Sequence, residues 1–174
     1  MSALAFSSFP ELDGERVPCV GVISGNAFDE LDRVTYLIET DPNGESRAFE
    51  IRYDMRCSPF QEALKVGSLL AVGHEAHFYL FDTSTMKNVL ALPVEGYFGH
   101  LYYDGGRFYV AGCYELYCIA PSGQVIWKSE GLGIDGVIVE AFDDQRISGA
   151  GEWDPPDGWR PFVIDRSTGK KVDL

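Results

Sequence analysis

Apolar positions along the chain fall in short, evenly spaced groups. Stretches of four to eight residues rich in Val, Ile, Tyr and Phe alternate with clusters of Gly, Asp, Asn, Ser and Pro. That is the pattern of strands joined by tight turns. It predicts strands over 17–24, 33–40, 47–53, 69–73, 77–82, 88–93, 100–103, 107–111, 115–120, 124–128, 137–142, 146–150, 160–165 and 170–172. Helical signals are few. Residues 26–33 suit one polar turn. Ser58-Pro59-Phe60-Gln61 reads as an N-cap, a first-turn proline and a capping-box partner, and predicts a short helix over 59–65.

The turns repeat. An apolar pair closes a strand, a polar turn follows, and another strand begins. The copies are Leu37-Ile38-Glu39-Thr40-Asp41, Leu80-Phe81-Asp82-Thr83-Ser84, Cys118-Ile119-Ala120-Pro121-Ser122 and Val163-Ile164-Asp165-Arg166-Ser167. Ile38, Phe81, Ile119 and Ile164 are separated by 43, 38 and 45 residues. A period near 40 residues with about four short strands is that of a propeller blade. A four-stranded meander has two apolar faces and buries them only by stacking on other meanders. Asp104-Gly105-Gly106, Ser122-Gly123 and Asn43-Gly44 supply hairpin turn residues.

On these residues, and on stretches such as RFYVAGCYELYCIAPSGQVIWKS and HFYLFDTSTMKNVLAL, the chain resembles propeller repeats of the quinoprotein and WD-repeat kind. The resemblance covers about 61–174 well and 16–60 poorly. It lacks the Trp-Asp pair of WD repeats and any cofactor signature. It implies an all-β fold of antiparallel four-stranded blade-like repeats, as a partial or four-bladed propeller; a curved β-sandwich is the alternative. The expected organisation is a single domain with repeats at 16–60, 61–98, 99–134 and 135–174.

Charge narrows the functional classes. There are 14 basic and 27 acidic residues, a net charge of −13, divided almost evenly between the halves. Nucleic acid is thereby disfavoured as a partner, and a basic partner is favoured. No segment is apolar for the roughly 20 residues a membrane-spanning helix needs, and the first ten residues lack the pattern of a secretory signal. No membrane partner and a cytoplasmic location are expected. Cys19, Cys57, Cys113 and Cys118 form no CxxC motif and read as buried free thiols.

One segment departs from the repeat. Gly149 and Ile164 are 15 residues apart, where Gly73 and Phe81 are 8 apart and Gly112 and Ile119 are 7. The extra residues, Gly151-Glu152-Trp153-Asp154-Pro155-Pro156-Asp157-Gly158-Trp159, read as a proline-stiffened loop flanked by tryptophans. Asp135 lies in another acidic turn upstream. The combination GLGIDGV and GEWDPPDGW resembles small bacterial proteins of toxin-immunity gene neighbourhoods, a likeness that brings no site residues. Trp153 and Trp159 either close the last blade on its neighbour, or bind a partner, or form a platform for a sugar or small ligand. Rigid aromatic side chains lose little entropy on binding and dominate interface hot spots.

Catalytic frames are missing. His74-Glu75-Ala76-His77 is one residue short of HExxH, no GxSxG elbow or phosphate loop occurs, and Glu140, Glu152, Asp154 and Asp157 read as solvated carboxylates. The aromatics Tyr97, Phe98, Tyr102, Tyr103, Phe108, Tyr109, Tyr114 and Tyr117 read chiefly as packing. No catalytic residue, cofactor or metal is therefore assigned. The expected function is a non-enzymatic acidic interaction module for a basic protein partner, such as an immunity-type protein, with Trp153, Asp154, Asp157, Trp159 and Asp135 as its contacts. The alternatives are a carbohydrate- or ligand-binding or carbohydrate-active domain, and a homodimer that completes its own propeller.

Overall fold

In the computed structural model, residues 2–24, 33–53, 55–154 and 158–172 are described. They form seventeen strands and no helix. The second sheet, in the order β10-β9-β8-β7, is a meander of β7 (Gln61–Val66), β8 (Leu69–His74), β9 (His77–Asp82) and β10 (Lys87–Pro93). The third repeats it with β11 (Phe98–Asp104), β12 (Arg107–Gly112), β13 (Leu116–Ile119) and β14 (Val125–Ser129). The fourth keeps three strands, β15 (Val137–Phe142), β16 (Arg146–Trp153) and β17 (Gly158–Asp165). Where a fourth strand would lie, Lys171 makes a single bridge to Ile164.

The first sheet is built differently. Its order is β1-β5-β6-β4, from β1 (Ala3–Ser7), β4 (Cys19–Ile23), β5 (Arg33–Thr40) and β6 (Ser46–Tyr53), and β4 runs parallel to β6. The antiparallel meander expected of every repeat thus fails here, because the outer strand comes from ahead of β5 in the chain. A small hairpin of β2 (Glu11–Leu12) and β3 (Glu15–Arg16) precedes it.

Three cores join the four sheets. Leu37, Phe49 and Ile51 pack with Leu70, Val72 and Phe81 between the first and second. Phe78 and Leu80 pack with Phe108, Val110 and Ile119 between the second and third. Tyr109, Leu116 and Trp127 pack with Val137, Ile147 and Phe162 between the third and fourth. This is what strand alternation predicts for stacked blades, since each middle sheet is apolar on both faces. Among the described residues no core joins the fourth sheet to the first, so the array is open. Four sheets sharing three cores are an arc of blades rather than a two-sheet sandwich. Of the aromatics in the third repeat, Phe98, Phe108, Tyr109 and Tyr117 are buried, and Tyr103 and Tyr114 are exposed.

Strands β1, β7, β11 and β15 follow one another along the inner edge of the arc. Polar side chains tie them. Glu62 on β7 accepts from the Leu101 amide at 2.7 Å and pairs with His100 Nδ1 at 2.8 Å. The Val139 amide donates to Tyr102 Oη at 3.0 Å. Buried Glu39 on β5 holds Lys65 on β7 and Arg47 on β6. Burial pushes the Glu39 carboxyl up, but the hydrogen bonds from Lys65 and Arg47 outweigh it and hold it below its ordinary value. The repeated turns are stapled by their aspartates. Asp82 accepts from Ser84 and Thr85, which takes its carboxyl down to about 2, and Asp165 accepts from Ser167 and Thr168.

The helix predicted over 59–65 is absent. Ser58 does accept the Phe60 amide at 3.0 Å, as a cap would. From Gln61 the chain instead pairs with β8, from Gln61 opposite His74 to Val66 opposite Leu69. A full strand ladder on the inner edge outweighs the modest helix preference of six residues. The polar turn over 26–33 lies outside the described residues except for Arg33, which opens β5. Of the cysteines expected to be buried, Cys113 and Cys118 are buried, Cys57 is half-buried and Cys19 is exposed.

Candidate functional site: a cleft where the inner strands begin

The segments leading into β7, β11 and β15 converge at one end of the arc. Phe60, Tyr97 and the pair Asp135-Gly136 stand just before those strands. With Gly99, His100, Val137 and Ile138 on the strands, and Glu152 and Trp159 on the β16–β17 hairpin, they line a cleft of about 170 Å³. Its walls are chiefly aromatic and aliphatic. Phe60 stacks on Tyr97 with ring centres 6.2 Å apart and lies 5.5 Å from His100. Phe60 is 41% exposed and Trp159 49% exposed, high values for large apolar side chains.

The loop carrying Asp135 is pinned to the hairpin. Ile134 N donates to Glu152 O at 2.8 Å and Glu152 N to Gly136 O at 2.9 Å. Gly136 N reaches Cys113 O at 2.9 Å, and Cys113 Sγ donates to Ile134 O at 3.4 Å. Burial pushes the Cys113 thiol up, so it remains a neutral donor. Tyr97 Oη donates to Asp135 O at 2.6 Å and to Oδ1 at 3.2 Å. Burial, then the neighbouring Cys113 and Asp135, raise the Tyr97 hydroxyl well above its ordinary value, so it too stays protonated. Gly136 has φ +147°, and a Cβ there would lie 3.5 Å from the Trp159 ring, 3.7 Å from Glu152 Oε2 and 3.8 Å from Tyr97 Oη. Glycine therefore both permits this backbone and leaves the cleft floor open.

Two buried carboxylates set the approach loops. Glu75, after β8, accepts the Cys57 and Ser58 amides at 2.5 and 2.9 Å. Glu115, after β12, accepts the Glu95 amide at 3.1 Å and Tyr117 Oη at 3.0 Å. Burial raises the Glu115 carboxyl. The same device thus fixes the segments leading to Phe60 and to Tyr97.

The sequence-derived contacts divide. The segment read as a loop is mostly paired strand, with Gly151 opposite Arg160, Glu152 opposite Trp159 and Trp153 opposite Gly158. Neighbouring positions on a strand point to opposite faces. Trp159 and Glu152 share the face of the cleft, with Asp135. Trp153 lies on the other face, where the Arg160 guanidinium sits 5.4 Å from its ring centre. Asp154 is exposed at the hairpin tip, and Asp157 lies outside the described residues. Phe60, Tyr97, His100 and Glu152 were not foreseen as a group. Phe60 sat in the expected helix, Tyr97 among packing aromatics, and Glu152 among solvated carboxylates. The signal available for Phe60 and Tyr97 was their common position just before an inner strand in successive repeats, which the helix at 59–65 obscured.

No protein-family model and no curated protein matches the chain. Solved structures do match in fold. BamB from Moraxella catarrhalis aligns with a TM-score of 0.53 and 14% identity, over 82% of this chain and 46% of that one. The Pan2 WD40 domain of Neurospora crassa aligns with a TM-score of 0.50 and 11% identity, over 80% of this chain and 47% of that one. The chain has a propeller-like repeat fold. It spans less than half the length of these two neighbours.

Proposed function

We propose that this chain is a non-enzymatic interaction module that docks a basic protein partner at the end of the arc where the inner strands begin. The carrying observation is the cleft, in which the exposed rings of Phe60 and Trp159 stand beside Asp135 and Glu152. Exposed aromatics are the usual anchors of protein interfaces. The net charge of −13 would steer a cationic partner to it and make association salt-dependent. Neutralisation of a basic toxin domain, as by an immunity-type protein, is one form this docking would take.

The test is capture from lysate of the source cells on wild-type, Trp159→Ala and Asp135→Asn/Glu152→Gln baits, eluted with rising salt. The expected result is a basic protein retained by wild type, released by salt and lost from both variants. Equal capture on all three baits overturns the site. A sugar ligand is the second reading, favoured by aromatic faces next to carboxylates. A glycan array that gives Trp159-dependent binding, with no protein captured, would replace the partner reading with it.

A further inference from the structure

Resting on that reading, we propose that the cleft is the seat of a single lysine side chain of the partner. A lysine has a long methylene stem and a compact ammonium, and the cleft offers a surface for each. Phe60, Ile138 and Trp159 offer apolar surface along which the stem lies. Trp159 and Tyr97 both line the cleft, and aromatic rings attract a cation. Asp135 and Glu152 accept charge-assisted hydrogen bonds from separate walls. The volume of about 170 Å³ suits one side chain rather than a helix or a strand.

The geometry favours an ammonium over a guanidinium. The five donors of a guanidinium are satisfied best by a carboxylate with both oxygens free along one edge. One Asp135 oxygen takes the longer branch of the Tyr97 hydroxyl bond, and Glu152 offers its oxygens from the hairpin, so the acceptors are split between two walls rather than set along one edge. An ammonium donates to single oxygens one at a time. The seat is also held ready, because the Asp135 loop and the hairpin are joined by main-chain hydrogen bonds, as are the loop and the Cys113 turn. Little ordering remains for the ligand to drive.

The test is an NMR titration of the isotope-labelled full chain with three capped amino acids: N-acetyl-lysine, N-acetyl-norleucine and N-acetyl-arginine methylamides. The lysine compound is expected to shift the Trp159 indole N–H and the Gly136 amide saturably, with a dissociation constant on the order of millimolar for so small a ligand. Norleucine, equal in stem but uncharged, is expected to leave both signals in place. Asp135→Asn/Glu152→Gln should weaken the lysine response about tenfold with an unchanged melting temperature. A norleucine or arginine response equal to that of lysine, or no lysine response, overturns the seat. If the basic partner is still captured while lysine gives no shift, the seat alone falls. If lysine shifts the cleft but no partner is captured, the partner reading falls.

Discussion

In the first sheet the outward-facing side chains Ile38 and Ala48 are buried beneath Val17 and Leu12. In the fourth, the outward positions Pro161 and Trp159 are exposed. The first sheet takes its outer strand, β4, from between β1 and β5 in the chain, lays a hairpin over its outer face, and is anchored to the second sheet by Glu39 and Lys65. Among the described residues the fourth lacks a full outer strand, and its β16–β17 hairpin is extended instead. An arc of blades must end somewhere, and an end blade has one apolar face with no neighbour. Covering that face makes an inert terminus. Lengthening a hairpin past the last core pair lifts an aromatic side chain clear of the core, where it can meet a ligand.

Close approach differs sharply between the two ends, and the largest expected effect exploits this. A Cβ at Gly151 in the fourth sheet would lie 1.9 Å from the Leu132 carbonyl oxygen, whereas one at Gly21 in the first would meet the Met86 Cε at 2.9 Å. Backbone cannot yield, while the tip of a methionine can. Gly151→Ala should cost about 3 kcal/mol and displace the Asp135 loop, and Gly21→Ala under about 1 kcal/mol. Urea denaturation of both variants measures the contrast. Equal costs would remove the distinction.

The seam beside the first sheet carries a buried histidine, a residue type the fourth sheet does not contain. His74 is 5% exposed, lies 4.6 Å from the Tyr53 ring and 6.1 Å from the Phe6 ring, and its Nδ1 has no hydrogen-bond partner among the described residues. Burial, reinforced by nearby His77 and opposed by Glu75, takes it down from 6.5 to about 4. Below pH 6.5 the unfolded chain binds the proton first. Stability present above pH 6.5 is therefore lost as pH falls toward 4, by about 3 kcal/mol at most. Stability curves of wild type and His74→Phe should diverge across that window and run parallel above it. Parallel curves throughout would show that the seam opens to water.

A further variant probes the cap. Val17 is 5% exposed, and Val17→Ala should cost about 2 kcal/mol, with faster amide exchange confined to β5 and β6. Exchange that quickens equally in β16 would mean the two ends unfold together.

Much of the fold was legible in local pattern. Alternation and turn residues located β9 and β15 to the residue, and the apolar pairs at Ile38, Phe81, Ile119 and Ile164 marked the repeat. The turns they precede are self-contained: Asp82 and Asp165 bond groups two or three residues away, so the signal and its cause share one stretch of chain. β7 was not legible in this way, because its pairing with β8 outweighs its own helix signal. The candidate site was half legible. Trp159 and Asp135 stood out by composition, but their union with Phe60, Tyr97 and Glu152, and their separation from Trp153, depended on contacts up to about a hundred residues apart in the chain.

By itself, then, the sequence determined the strand content, the period of the repeat and the acidic surface, all properties of neighbouring residues or of their sum. Only the tertiary structure decided that the arc ends in a capped sheet at one side and a long hairpin at the other, that β4 pairs in parallel with β6, and that three inner strands begin around one aromatic, carboxylate-edged cleft. Those outcomes turn on which sheet each segment joins and which face each side chain takes. A shift of one residue in register reverses that face, and no local pattern records it.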